Sequence, residues 1–371
     1  MRIMIYLGHP AHYHLFYHCL LEWKEKGYPL QILVSRKDVL EDLLKAGGFD
    51  YVLVSEGKKH KNRFHLAWMV MKRGWRIFLE IRRFQPDVMA GTAAEAPLMA
   101  RLNGIPFINL NEDDADIVPL YAWLSYPFSD LILMPENCRA GRWKKKTLFY
   151  PGFHELAYLH PSLLEAKSAD NAKMDLPEKP YILIRFSALT AHHDKGRKGL
   201  SESLALEIIN IAGRDYQVLI SSEKDLPPSL QAFQLVADPH KIHRLMAKAV
   251  LYIGDSQTMA AESAMLGVPF VRYNSFVGKL TYLAQLEDDY QLGYGFRPGE
   301  EARMLQCIQE ILYPRMEKTD WKKRRDAMLK GKVNTAAFLG WFIPNYPHSY
   351  REILSKSFSW DRFIEAPEEK Q

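Results

Sequence analysis

The sequence predicts an α/β protein made of two doubly wound, Rossmann-like domains that face each other across a cleft. Three observations carry that expectation. Short apolar runs alternate with helix-period patterns from the first residues onward, the mark of parallel sheets covered on both faces. The pattern lapses once, between 161 and 180, into Ser, Ala, Asp, Asn and Lys, and then resumes. At 371 residues and 47% hydrophobic composition, the chain is long enough for two cores of ordinary domain size.

Element by element, the first half offers strands at 3–7, 30–34, 51–54, 87–89, 107–110 and 131–134. Helical stretches lie between them near 14–26, 39–45, 65–83, 94–102 and 118–126, with Gly27, Gly48, Pro86 and Gly104 at their boundaries. After the lapse come strands at 181–186, 217–221, 233–236, 250–253 and 270–273, and helices near 200–212, 241–248, 258–266 and 302–312. The expected organisation is a first domain at 1–160, a linker at 161–180, a second domain at 181–345 and a tail at 346–371 that folds back on the first domain.

Composition narrows the class. There is no low-complexity tract or solenoid-period repeat, which favours a globular enzyme over a scaffold or a disordered chain. Cys19, Cys138 and Cys307 are odd in number and far apart, which argues against a disulfide framework. The opening Met1–Leu7 run is too short for a signal-peptide core, and no apolar run reaches membrane-spanning length. A cytoplasmic location is expected. Net charge is +5, unevenly spread: nine Lys or Arg residues fall between Lys58 and Arg83 against the single acid Glu80. Interleaved with Trp68, Met71 and Trp75, they predict a basic amphipathic helix. It either lies peripherally on anionic lipid or packs its aromatic face into the first domain. Nucleic acid is not an expected partner.

The most informative segment is Tyr252-Ile-Gly254-Asp255-Ser256-Gln257-Thr258-Met259-Ala-Ala-Glu262. It reads as a strand that stops at a polar turn and opens into a helix. The first N–H groups of a helix lack internal partners and carry partial positive charge, so Ser256, Gln257, Thr258 and Met259 can surround a phosphate beside Asp255. Glu262, about one turn inside on the Thr258 side, can accept hydrogen bonds from a ribose diol. The plainer alternative is a capped crossover helix.

Other polar groups fall on the same expected edges. Arg185 ends an apolar strand and is followed by a loop containing His193 and Lys195, suited to a departing diphosphate. Ser222 and Glu223 follow the next strand, and His240 and His243 flank the start of a helix where a nucleobase could sit. In the first domain, the turn Gly8-His9-Pro10-Ala11-His12-Tyr13-His14 places imidazoles where the first strand ends. His12 is the candidate general base, with His9 and His14 as alternates. Glu112 and Asp113, in the acidic run after 107–110, are candidates for sugar orientation or charge stabilisation, the alternative being that Asp113 or Asp114 caps the following helix. No metal site is expected: His14 and His18 lie one turn apart without a completing carboxylate or Cys.

Gly8-His-Pro-Ala-His-Tyr-His, Tyr150-Pro-Gly-Phe-His-Glu-Leu-Ala-Tyr-Leu-His-Pro161, Gly199-Leu-Ser201, Ile220-Ser-Ser-Glu223 and Gly254 to Glu262 together resemble the domain-of-unknown-function family numbered 354, over nearly the whole chain. The resemblance implies a glycosyltransferase-B fold. It is similar more broadly to the non-hydrolysing UDP-N-acetylglucosamine 2-epimerase and to the lipid-linked N-acetylglucosaminyltransferase of cell-wall synthesis. On that likeness Ser256 approaches the diphosphate, Glu262 the ribose and 239–243 the uracil. The expected activity is transfer of a sugar from a nucleotide-diphosphate sugar, UDP-linked on that likeness, to an envelope-polysaccharide or lipid-linked carbohydrate acceptor. No cofactor or obligatory Mg²⁺ is expected. UDP-sugar 2-epimerase and a non-catalytic nucleotide-sugar-binding protein are the alternatives.

Overall fold

A computed structural model describes residues 1–37, 39–57, 63–166, 177–186, 199–222, 225–235, 241–315 and 319–364. In chain order the elements run β1 (Ile3–Leu7), α1 (Pro10–Glu25), β2 (Leu30–Ser35), α2 (Leu40–Ala46), β3 (Val52–Ser55), α3 (Arg63–Phe84), β4 (Val88–Gly91), α4 (Ala96–Leu102), β5 (Phe107–Leu110), α5 (Pro119–Ser125), β6 (Leu131–Pro135), β7 (Thr147–Tyr150), α6 (Leu156–Leu159) and α7 (Pro161–Ala166). They continue β8 (Tyr181–Phe186), α8 (Glu202–Ala212), β9 (Gln217–Ser222), α9 (Ile242–Lys248), β10 (Leu251–Gly254), α10 (Gln257–Met265), β11 (Phe270–Tyr273), α11 (Thr281–Ala284), β12 (Gly293–Phe296), α12 (Glu301–Leu312), α13 (Trp321–Leu329), α14 (Thr335–Phe342) and α15 (His348–Ile353).

The chain divides into two compact units. Unit 1 is Met1–His160 together with the chain from Gly331 onward, and unit 2 is Pro161–Lys330. Unit 1 holds a seven-stranded sheet in the order β3-β2-β1-β4-β5-β6-β7 and unit 2 a five-stranded sheet in the order β12-β11-β10-β8-β9. Every strand pair is parallel. Each sheet therefore reverses its strand order once, between β1 and β4 in unit 1 and between β8 and β10 in unit 2. Loops diverge above and below the sheet at such a point, leaving a crevice at the carboxyl ends of the two strands.

The strands form where the sequence concentrates buried aliphatic residues. In unit 2, Ile182, Ile184, Leu251 and Ile253 pack with Leu204 and Ile208 of α8 and Met304 and Ile308 of α12. In unit 1, Met4, Leu33 and Met89 meet Ile77 and Ile81 of α3 and Ala96 and Ala100 of α4. Gly91, with φ of 142°, sits at the unit 1 crossover, where a Cβ would run into the backbone of Tyr6.

Three expectations change. Residues 331–345, expected in the second domain, belong to unit 1. Their helix α14 is apolar on nearly all sides, and Phe338, Leu339 and Phe342 are fully buried. It packs on α1, where the Trp23 Nε1–H donates to the Gly340 carbonyl at 3.0 Å and Cys19 Sγ lies 3.5 Å from the Ala336 carbonyl. Of the strand expected at 233–236, Phe233 ends a 3-10 turn, Pro228–Phe233, Gln234 makes a single bridge to Ile220, and Val236 lies outside the described residues. The linker expected at 161–180 begins as a helix, α7. Strands β7 and β12, unanticipated, complete the sheet edges.

Candidate functional site

At the crossover of unit 2, the register pairs Gly254 at the end of β10 with Arg185 near the end of β8. The chain then turns through buried Asp255, whose carbonyl accepts from Asn274 Nδ2 at 2.9 Å. Ser256 caps α10, its Oγ accepting from the Met259 N–H at 3.3 Å. The N–H groups of Gln257 and Thr258 lie in that first turn, where the helix field favours an anion. Arg185 is held by Ser221, whose Oγ accepts from Nη1 at 2.7 Å. A cavity of about 250 Å³ opens on this edge, lined in part by Phe186, Ser222 and Asp255.

Tyr252 explains the glycine two residues after it. Residues i and i+2 of a strand share a face, and the phenol lies across Gly254, where a Cβ would collide with its hydroxyl. The ring is fully buried, with its hydroxyl beside the Ser256 side chain. Burial, then the nearby Asp255 carboxylate, pushes its pKa well above the phenol range, so it remains a donor.

Glu262 differs from expectation. It is 4% exposed, and its Oε1 lies 3.0 Å from Nε2 of His243 on α9. The ribose candidate and the base candidate are thus one carboxylate–imidazole pair inside unit 2. His193, Lys195, Glu223 and His240 lie outside the described residues.

The crevice of unit 1 gathers the first-domain candidates. His9 is the N-cap of α1, its Nδ1 accepting from the Ala11 N–H at 3.2 Å. His12 Nδ1 accepts from the Gly8 N–H at 3.3 Å. A neutral imidazole that accepts at Nδ1 carries its proton on Nε2, so His12 as placed presents a donor. Service as a general base would require that bond to break. His14 lies against Tyr158, with ring centroids 5.2 Å apart and the rings tilted by 35°. Asp113 closes a short Asx turn through its N–H to Asn111 Oδ1, 3.2 Å away. Asp114 caps no helix: its carboxylate takes the Arg139 N–H at 2.6 Å and an Arg139 guanidinium nitrogen at 3.2 Å.

Glu112 reveals a residue that sequence reasoning passed over. Its Oε2 lies 3.4 Å from Nδ1 of His154, whose buried Nε2 has no partner among the described residues. A carboxylate at Nδ1 favours the tautomer whose Nε2 lone pair is free, the arrangement that orients a histidine base. The signal was present in Pro151-Gly-Phe-His154-Glu155, where an imidazole follows a turn at the end of an edge strand. Among the described residues no group of three His, Cys, Asp or Glu side chains is placed to hold a metal.

Burial, then neighbouring Lys37, lowers the His12 pKa to about 4, and burial, then His12, lowers that of His154 to about 3. His9 is lowered well below the usual range, also mainly by burial. The unfolded chain then takes up these protons first, near pH 6.5. The stability the neutral rings confer is present above about 6.5 and is lost as pH falls through about 4 and about 3. Thermal unfolding between pH 8 and 4 should show unit 1 weakening by several kcal/mol, about 1.4 kcal/mol per pH unit below 6.5 for each ring. His12→Gln should flatten that slope, and an unchanged slope would contradict the assignment.

No family model matches the sequence, and no curated protein matches it either. Solved structures do. The UDP-GlcNAc 2-epimerase of Neisseria meningitidis, bound to UDP-GlcNAc, is 14% identical over 91% of this chain and 98% of its own, with a TM-score of 0.62. MurG of Acinetobacter baumannii is 12% identical over 93% and 100%, with a TM-score of 0.58. The spinosyn rhamnosyltransferase SpnG, complexed with spinosyn aglycone, is 12% identical over 91% and 99%, with a TM-score of 0.60. The chain has the glycosyltransferase-B fold. Within the glycosyltransferase-B fold, its two parallel sheets place the Ser256 turn and the His9–His12 turn each at the crossover of its own Rossmann-like unit.

Proposed function

We propose that this protein is a glycosyltransferase that takes a sugar from a nucleotide-diphosphate sugar, UDP-linked by preference, and that it belongs to domain-of-unknown-function family 354. The observation that carries the reading is the unit 2 crossover, where the capped N-terminus of α10, Arg185 and the buried Tyr252 hydroxyl converge. All three are donors or positive charge, as a diphosphate requires, and they stabilise a leaving group without calling for a metal. Glu262, fixed by His243, is the group for a ribose diol. In unit 1, burial keeps His12 and His154 neutral at pH 7, and the acceptor would enter beside them.

Calorimetry tests the donor side. UDP or UDP-GlcNAc should bind, and at 100 times the dissociation constant should add about 2.7 kcal/mol to apparent stability. Loss of a hydrogen bond to a charged group is worth about 2 kcal/mol, so Glu262→Ala should weaken UDP binding roughly thirtyfold. Unchanged affinity would remove Glu262 from the site. The half-buried Glu112–His154 pair also suits a 2-epimerase. Incubation with UDP-GlcNAc alone separates the two: a new epimer formed without acceptor would establish the second reading.

A further inference from the structure

Surface helices ordinarily hide one apolar stripe and show water a mixed polar face. Helix α3 shows two apolar stripes. Gly74, Ile77 and Ile81 face the sheet, whereas Trp68, Met71, Trp75 and Leu79, spaced three and four residues apart, are 52%, 66%, 60% and 46% exposed. The exposed positions between and beyond them are Lys72, Arg76, Arg82 and Arg83. No acid stands among the exposed residues of α3 from Trp68 onward: Glu80 is half-buried and accepts from Gln31 at 2.8 Å. The alternative in which the aromatic stripe packs into the domain is therefore overturned.

A second patch, on a different stretch of chain, has the same character. Leu120, Trp123 and Leu124 of α5 are 70%, 56% and 47% exposed. A basic 3-10 turn, Gly141–Lys146, is tied to the end of α5 by Lys146, whose Nζ donates to the Tyr126 and Pro127 carbonyls at 3.2 and 3.0 Å. Arg142 lies over Trp123 at 4.3 Å, and neither α5 nor the turn contains an acid. Helix α4 packs against both α3 and α5, so the two patches flank one helical layer, with exposed Leu102 between them.

We propose that the outer side of the α3–α4–α5 layer seats unit 1 on an anionic lipid surface, with the exposed Trp, Met and Leu side chains entering the headgroup region and the cations meeting lipid charge. Tryptophan and cation together are what a headgroup layer accommodates. Charge selects this occupant over a second copy of the chain, which would set cations against cations. Among the described residues no helix is long and apolar enough to cross a membrane, so the contact is made on the surface.

Co-sedimentation of the full chain with vesicles tests this without reference to catalysis. Binding is expected to phosphatidylcholine containing about a third phosphatidylglycerol, not to phosphatidylcholine alone, and should fall with salt. Each cation contributes about fivefold, so Lys72→Gln with Arg76→Gln should weaken binding roughly 25-fold. Trp75→Ser with Trp123→Ser should weaken it at least about tenfold, with an unaltered unfolding midpoint since both side chains are exposed. Failure to bind anionic vesicles at low salt overturns the proposal. So does wild-type binding by both variants, or a solution dimer that the same substitutions dissolve.

Discussion

Replacing Arg272 by Leu is expected to remove roughly 3–5 kcal/mol from the stability of unit 2. Its side chain is fully buried on β11, where the register sets it between Gly254 and Gly295, and both neighbours lack the Cβ that would crowd it. Glu287 Oε1 receives its Nε and Nη2 at 3.0 and 2.8 Å. Burial raises the Glu287 pKa even with the guanidinium beside it, which shows how poorly that carboxylate is solvated. The single variant strands the acid, so the loss greatly exceeds that of an exposed ion pair. Arg272→Leu with Glu287→Leu should recover most of it, because an apolar pair needs no compensating charge. Urea unfolding of the four-member cycle measures this, and a single-variant loss below about 1 kcal/mol would contradict the account.

The second large effect lies in unit 1. Deleting the chain from Gly331 onward should leave the seven-stranded unit unable to fold cooperatively, seen as loss of a sharp thermal transition by circular dichroism. The deletion bares α1 along Cys19, Leu20 and Trp23, all fully buried, and removes Phe338 from Tyr150, a ring pair 5.3 Å apart. A milder probe is Trp23→Ala. It forfeits the largest fully buried side chain of the unit and the donor to Gly340, and should cost about 3–5 kcal/mol. A cooperative transition retained by the truncated chain would show that unit 1 closes without α14.

The doubly wound class was legible because buried strands such as Ile3–Leu7 and Tyr181–Phe186 are nearly continuous apolar runs. Edge strands carry less signal. Gly293–Phe296 contains two glycines and does not read as a strand by composition, while Thr147–Tyr150, though made of strand formers, is a four-residue run directly behind three lysines. At 233–236 apolar content suggested a strand, but the chain, already turned by Pro227 and Pro228, keeps Phe233 in a 3-10 turn. Helical periodicity marked α3 as amphipathic but could not decide which side faces the sheet. The small, slim side of Gly74, Ile77 and Ile81 does, since bulky Trp68 and Trp75 would hold the helix away.

Legibility of the candidate site divides the same way. The Ser256 turn was readable because capping and the strand–helix junction are local. The His243–Glu262 and Glu112–His154 pairs were not, because each joins residues on different elements and depends on the direction of a side chain. His12 was found by position, yet its tautomer follows from one backbone N–H, that of Gly8.

Unit 1 is split in sequence, and this sets a timetable for the nascent protein. When His160 has been added, all seven strands of its sheet exist, but the carbonyl that Trp23 needs belongs to Gly340. At ribosomal rates of about 5–20 residues per second, the intervening 180 or so residues occupy roughly ten to forty seconds. Throughout that interval the greasy flank of α1 is uncovered, long enough for chaperone capture and for misassociation between neighbouring polysomal chains.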